Sequence, residues 1–147
     1  MRYHQLGLLH HDPQRSFAGY TLVAPLRHSA VFLVDMEGAE VHRWELPGPL
    51  GSKAYLLPGG HLLFSTFTQE GTPIKEAKGG HIYEMDWDGN IVWEHVDHDQ
   101  HHDLRRLDNG NTVYIGWEKM PVDAKAEVQG ARLGSEDQGG IIWSDYL

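Results

Sequence analysis

Along most of the chain, apolar residues alternate with polar ones over short runs rich in Val, Ile, Leu, Tyr, Phe and Trp, and glycine-bearing turns separate the runs. A period of two is that of a strand with one face covered. The pattern predicts strands over Tyr20–Ala24, Ala30–Asp35, Glu40–Leu46, Lys53–Leu57, His61–Ser65, His81–Asp86, Ile91–His95, Asp103–Leu107, Thr112–Trp117 and Gly140–Ser144. Only part of 121–132 has any helical period. Between strands stand Glu37-Gly38, Pro58-Gly59-Gly60, Asp88-Gly89-Asn90 and Asp108-Asn109-Gly110-Asn111, sequences suited to the positive φ of tight hairpins. The expected fold class is all-β.

The turns recur at a fixed distance. Asp35-Met36-Glu37-Gly38 matches Asp86-Trp87-Asp88-Gly89 at a shift of 51, and Leu57-Pro58-Gly59-Gly60 matches Leu107-Asp108-Asn109-Gly110 at a shift of 50. Repeats of that length made of four short strands are the mark of a β-propeller blade, which cannot bury both faces alone and stacks on its neighbours around an axis. A β-sandwich has no reason to repeat its turn chemistry at that distance. Counted from the axis outward, the strands group as three, four and three, which is two and a half blades in one domain over 1–147. A closed ring needs about four blades or more. The expectation is therefore that a second chain, or a further part of a cleaved or truncated polypeptide, completes the ring. Met36, Trp44, Trp87, Trp93 and Trp143 are expected between blades.

Composition narrows the chemistry. Cysteine is absent, which removes disulfides, thiolate nucleophiles and Cys-based metal sites and leaves His, Asp and Glu as ligands. The net charge is −9 and Lys and Arg form no stripe, so nucleic acid is not an expected partner. No apolar run approaches a membrane span, and Met1-Arg2-Tyr3-His4 opens no signal sequence, which predicts a cytoplasmic protein without a membrane partner. There are 17 glycines, in keeping with many turns, and 11 histidines.

Several stretches resemble the bacterial arylsulfotransferase family. They are Gly19-Tyr20-Thr21-Leu22, Val34-Asp35-Met36-Glu37-Gly38 with Trp44, and Tyr83-Glu84-Met85 running into Asp86-Trp87-Asp88-Gly89-Asn90-Ile91-Val92-Trp93-Glu94. The most specific is His101-His102-Asp103-Leu104-Arg105-Arg106-Leu107 with Asn109-Gly110-Asn111-Thr112. The resemblance implies a six-bladed propeller, and an activity that moves sulfuryl groups between phenols through a covalent sulfohistidine in the central channel.

The residues make their own case for a site. Under the shift of 50, His101, His102 and Asp103 fall on Gly51, Ser52 and Lys53, so the histidine pair belongs to one blade and is not demanded by the repeat. Strand alternation puts His101 and Asp103 on one face and His102 with Leu104 and Arg106 on the other. His101, His102 and Arg106 are the candidate catalytic residues: they are expected to hold the anionic group of a small anionic or aromatic substrate, stabilise charge developing on its oxygens and hand it to a histidine nucleophile that the resemblance places in the missing blades, while Asp103, Lys75 and Lys78 help to bind the substrate. Two alternatives stay open: a divalent metal on the axis held by His101 and His102, serving a lyase or hydrolase, or a propeller that only presents its loops to a partner. The long connections 66–79 and 118–139 share one rim with the segment His95-Val96-Asp97-His98-Asp99-Gln100, which reads as a solvated acidic loop.

Overall fold

The computed structural model describes residues 7–127 and 141–147. Among these residues ten strands follow in order: β1 (Thr21–Val23), β2 (Ala30–Val34), β3 (Glu40–Glu45), β4 (Leu50–Leu56), β5 (Leu62–Phe67), β6 (Gly80–Met85), β7 (Ile91–Val96), β8 (Gln100–Arg106), β9 (Thr112–Lys119) and β10 (Trp143–Tyr146). The helical period near 121 resolves into a short 3-10 helix, Val122–Ala126. The strands form three antiparallel sheets, β1-β2-β3, β4-β5-β6-β7 and β10-β9-β8, grouped three, four and three. Among the described residues no helix is long and apolar enough to cross a membrane.

The middle sheet is covered on both faces, and β5 shows why its sequence is a run of apolar residues. Leu62 and Phe64 join Val31, Leu33, Trp44 and Met85 in a core against the first sheet. Leu63, between them in the chain, points the other way and meets Ile82 and Leu104 in a second core against the third sheet. All three side chains are fully buried. Each contributes roughly 1.5–3 kcal/mol by leaving water.

The sequence repeat is also a repeat of hydrogen bonds. Asp35 N–H donates to Ala39 O as Asp86 N–H does to Asn90 O, and Leu57 N–H donates to His61 O as Leu107 N–H does to Asn111 O. Phe67 N–H to Pro49 O recurs as Trp117 N–H to Asp99 O, and Leu46 N–H to Ser29 O recurs as Asp97 N–H to Gly80 O. Every pair is displaced by the 50 or 51 residues of the turn motifs.

Strand boundaries differ from expectation at β4 and β8. β4 begins at Leu50 and β8 at Gln100, each three residues early, because their first residues bond sideways to the preceding connection: Leu50 N–H donates to His28 O, and Gly79 N–H to Gln100 O. The expected start of the last strand, Gly140, lies outside the described residues. Of the large side chains expected between sheets, Trp44 is buried there and donates to Asp86 O at 2.9 Å, and Trp93 joins the second interface. Trp87 stacks on His42 at the margin of the first interface. Trp143 lies beside Lys119 of its own sheet, and Met36 sits part-exposed in the turn after β2.

Candidate functional site

The register of the third sheet slips between His101, opposite Ile115, and Leu104, opposite Tyr114, so β8 carries two residues that β9 does not match. β4 has a slip at the corresponding place, between Leu50 and Ala54. Such bulges re-aim side chains. Here the bulge overturns the alternation expected from the sequence: His101 and Leu104 are buried, His102 is exposed and Asp103 is turned aside. His102 also adopts a left-handed backbone, φ +53°, with its N–H donating to the carbonyl of Ala77, itself left-handed at φ +48°.

The two imidazoles touch. His101 Nδ1 lies 2.6 Å from His102 Nδ1, with the rings nearly perpendicular. The His101 ring is stacked on Trp117 at 3.7 Å, and its Nε2 stands 3.2 Å from Asp145 Oδ1, off the direction of a good hydrogen bond. Burial pushes the His101 imidazole below its ordinary value; Asp145 opposes this and His102 adds to it. A carboxylate beside Nε2 favours the tautomer with the proton there, which leaves His101 Nδ1 as acceptor and makes His102 Nδ1 the donor. The lone pair of His102 then sits on Nε2, which has no hydrogen-bond partner among the described residues. The arrangement is a buried imidazole, stacked on Trp117 with a carboxylate nearby, in contact with an exposed imidazole whose Nε2 is open to act as base or nucleophile.

The other candidates are placed elsewhere. Arg106 is at the far end of β8, so it is not beside the histidines as expected; it pairs with Glu84, donates to Gly110 O and lies over Trp93. Glu84 also takes His61, at 2.7 Å. Asp103 joins β8 to β4 of the middle sheet, accepting from the Tyr55 hydroxyl at 2.7 Å and from Lys53, its counterpart one repeat earlier, at 3.1 Å. Burial pushes the Asp103 carboxyl up, but the hydrogen bonds from Tyr55, Lys53 and the Leu104 N–H outweigh it and leave it below the ordinary value.

Lys78 is fully buried and donates to the carbonyls of Glu70 and Thr72, so its ammonium holds the 68–79 connection together instead of facing a substrate. Lys75 bonds carbonyls of the same connection, Gln69 O at 2.9 Å and Thr72 O at 3.4 Å. That connection reaches the histidine pair through a bridge between Lys78 and His101. Nor is His95–Gln100 as a whole a solvated loop: His95 and Val96 are exposed at the end of β7, but Asp97, His98 and Asp99 are half-buried and Gln100 is buried. Asp99 accepts from the Thr72 N–H at 2.6 Å, and Asp97 accepts from the hydroxyls of Tyr114 and Tyr146.

Trp117 and Asp145 were not legible as site residues. Trp117 had a signal, since it repeats Phe67, whose ring carries Arg27 at 3.4 Å as Trp117 carries His101. Asp145 had none. Among the described residues no group of three or more His, Asp or Glu is arranged to hold a metal ion. Compared with known proteins, the chain matches no family model, no curated protein and no solved structure.

Proposed function

We propose that the chain forms two and a half blades of a β-propeller completed by a second polypeptide, and that the ring is an arylsulfotransferase-like transferase in which His102 takes up the transferred group. Hydrogen bonds recurring at the sequence repeat, two-sided cover of the middle sheet and the side-by-side placement of β4 and β8 support the propeller. The observation that carries the chemistry is the contact between His101 Nδ1 and His102 Nδ1, which leaves an exposed Nε2 lone pair with a carboxylate behind the pair.

In the proposed step His102 Nε2 attacks the sulfur of an aryl sulfate. The N–S bond forms as the bond from sulfur to the aryl oxygen breaks, and the aryl oxide leaves with the electron pair. Positive charge gathering on the imidazole is relieved as the Nδ1 proton is shared with His101, whose own Nε2 proton faces Asp145. The departing aryl oxide takes up the proton released from the histidine pair; an acceptor phenol then attacks the sulfur as the N–S bond breaks, and the phenol's proton restores the pair. With Arg106, Lys75 and Lys78 committed to internal partners, groups that hold the sulfate oxygens come from the rest of the ring.

The test is turnover of an aryl sulfate with a phenol acceptor by the chain isolated with its partner. His102→Ala is expected to lose roughly a hundredfold or more, the order seen when a reacting acid/base group is removed. Quenched wild type is expected to carry one sulfuryl group on a peptide containing His102. Turnover undiminished in His102→Ala sinks the assignment. Stoichiometric metal uptake, abolished in the same variant, replaces it with a metal-dependent lyase or hydrolase.

A further inference from the structure

We infer that the groove between the middle and third sheets is the seat for an aromatic side chain of a partner polypeptide that adds an antiparallel strand to β10. This rests on the reading that a second polypeptide completes the ring, and it gives that partner a recognisable chemistry: an extended segment preceded by an Asp-aromatic-x-Gly turn.

Among the described residues, one such seat is filled by the chain itself. At the interface of the first and middle sheets, Trp87 projects from the turn Asp86-Trp87-Asp88-Gly89 and is held by three residues. His42 stacks on it at 3.8 Å and 15°, Trp44 meets it edge-on at 5.3 Å, and a Cβ on Gly60 would lie 3.1 Å from its ring. The counterparts of these residues one repeat later are Trp93, His95 and Gly110. All three line one cavity of about 270 Å³ at the interface of the middle and third sheets. Gly110 keeps the conformation of Gly60, φ +85° against +86°, yet nothing lies within 4 Å of where its Cβ would be. Arg106, whose guanidinium lies 4.6 Å over the Trp93 ring, and Tyr114 line the seat as well, and among the described residues no ring stands against Gly110 as Trp87 stands against Gly60. An adjoining cavity of about 530 Å³ shares Arg106 and Gly110 and runs on to Leu57 and Pro58.

A second observation names the strand that would bring the ring. In the middle sheet the Trp87 turn leads directly into β7, which pairs with β6. In the third sheet β10 pairs with β9 and, among the described residues, has nothing on its other edge. An open edge presents a row of N–H and C=O groups that an incoming strand satisfies, while side-chain seats beside it choose which strand.

The probe is a synthetic peptide of this chain's own residues Asp86–Val96, which carries the turn, Trp87 and an edge strand. Titrated into the isotope-labelled full chain, it is expected to perturb the Gly110 amide, the Trp93 indole and the β10 amides saturably. The Trp87→Ala peptide is expected to bind roughly tenfold or more weakly, as for an anchoring aromatic. Asn111→Trp, which puts a ring into the cavity from the chain itself, is expected to weaken the wild-type peptide while leaving the dispersed spectrum of a folded chain. Silence at Gly110 and Trp93, or equal binding of both peptides, overturns the seat. Native mass spectrometry of the protein with its natural partners tests the ring reading separately: single copies or pairs of this chain alone overturn the partner, whatever the peptide does.

Discussion

Replacing His102 by glycine and, separately, by alanine measures how the site holds its exposed imidazole. Both variants lose the Nδ1 contact with His101, so that loss cancels in the comparison and the backbone term remains. A left-handed conformation costs a residue with a Cβ roughly 1–2 kcal/mol. Glycine escapes that cost but loses about 0.5–1 kcal/mol more chain entropy on folding than alanine. At φ +53° the glycine variant is therefore expected to be the more stable by about 0.5–1 kcal/mol. At an ordinary strand position such as Val113 the order reverses, glycine being weaker by about 0.5–1 kcal/mol. For a chain of this size the first difference is about 1–4 °C in Tm, with a matching shift of the urea midpoint at constant slope. An alanine variant as stable as the glycine variant, or more so, refutes the strained backbone at His102. The same pair separates strain from chemistry, since both variants lose turnover while only one regains stability.

The remaining predictions concern charge and close packing. Burial raises the Asp97 carboxyl, but hydrogen bonds from Tyr146, the Asp99 N–H and Tyr114 outweigh it, so its folded value lies below the ordinary one. Its contribution is present above about pH 4 and is lost as pH falls through the folded value, so the urea midpoint should fall on acidification and Asp97→Asn should flatten that fall. Tyr114 is pushed up from 10.0 to about 12, by burial first and then by its hydrogen bond to Asp97. That stability is whole below pH 10 and is lost as pH rises from about 10 to about 12, checked by tyrosinate absorbance, which should lag in the native protein and appear early in Asp97→Asn. Gly116→Ala drives a Cβ into the Tyr146 ring; it should cost about 1–3 kcal/mol and raise amide exchange in β10 above that in β4, and unchanged exchange counts against the contact.

The strands and their grouping were legible because each hairpin carries its own instruction: alternation for the strand, and Asp, Asn and Gly for the turn. What the alternation rule could not carry was the step across His102 and Asp103. A two-residue bulge is set by the pairing of β8 with β9 and by the 68–79 connection on its other side, partners remote in the chain. The histidine pair was visible as a departure from the repeat, yet its supports were not, since Asp145 and Trp117 arrive on other strands and an isolated Asp or Trp has many uses. Arg106 illustrates the converse error. Closeness in sequence suggested closeness to the histidines, but a strand carries its ends apart, and a partner on β6 claimed the guanidinium. Lys78 was expected to meet a substrate because a lysine on a long loop usually faces water; the glycines that follow it, where a Cβ would run into the side chains of Gln100, Ser65 and Thr68, were the sign that this stretch is packed inside.

The two-sided middle sheet bears on how the molecule assembles in time. Its four strands are consecutive in the chain, so it forms through local hairpins at low entropic cost, whereas each flanking sheet gains its cover only by docking. Leu62 and Leu63 are neighbours in sequence but belong to different docking events, one against Val31 and Trp44, the other against Leu104. Truncating each in turn and following refolding rates should therefore give two distinct φ-values from adjacent residues, showing which flank condenses first. A single strand thus serves as the clock against which both ends of the chain can be timed.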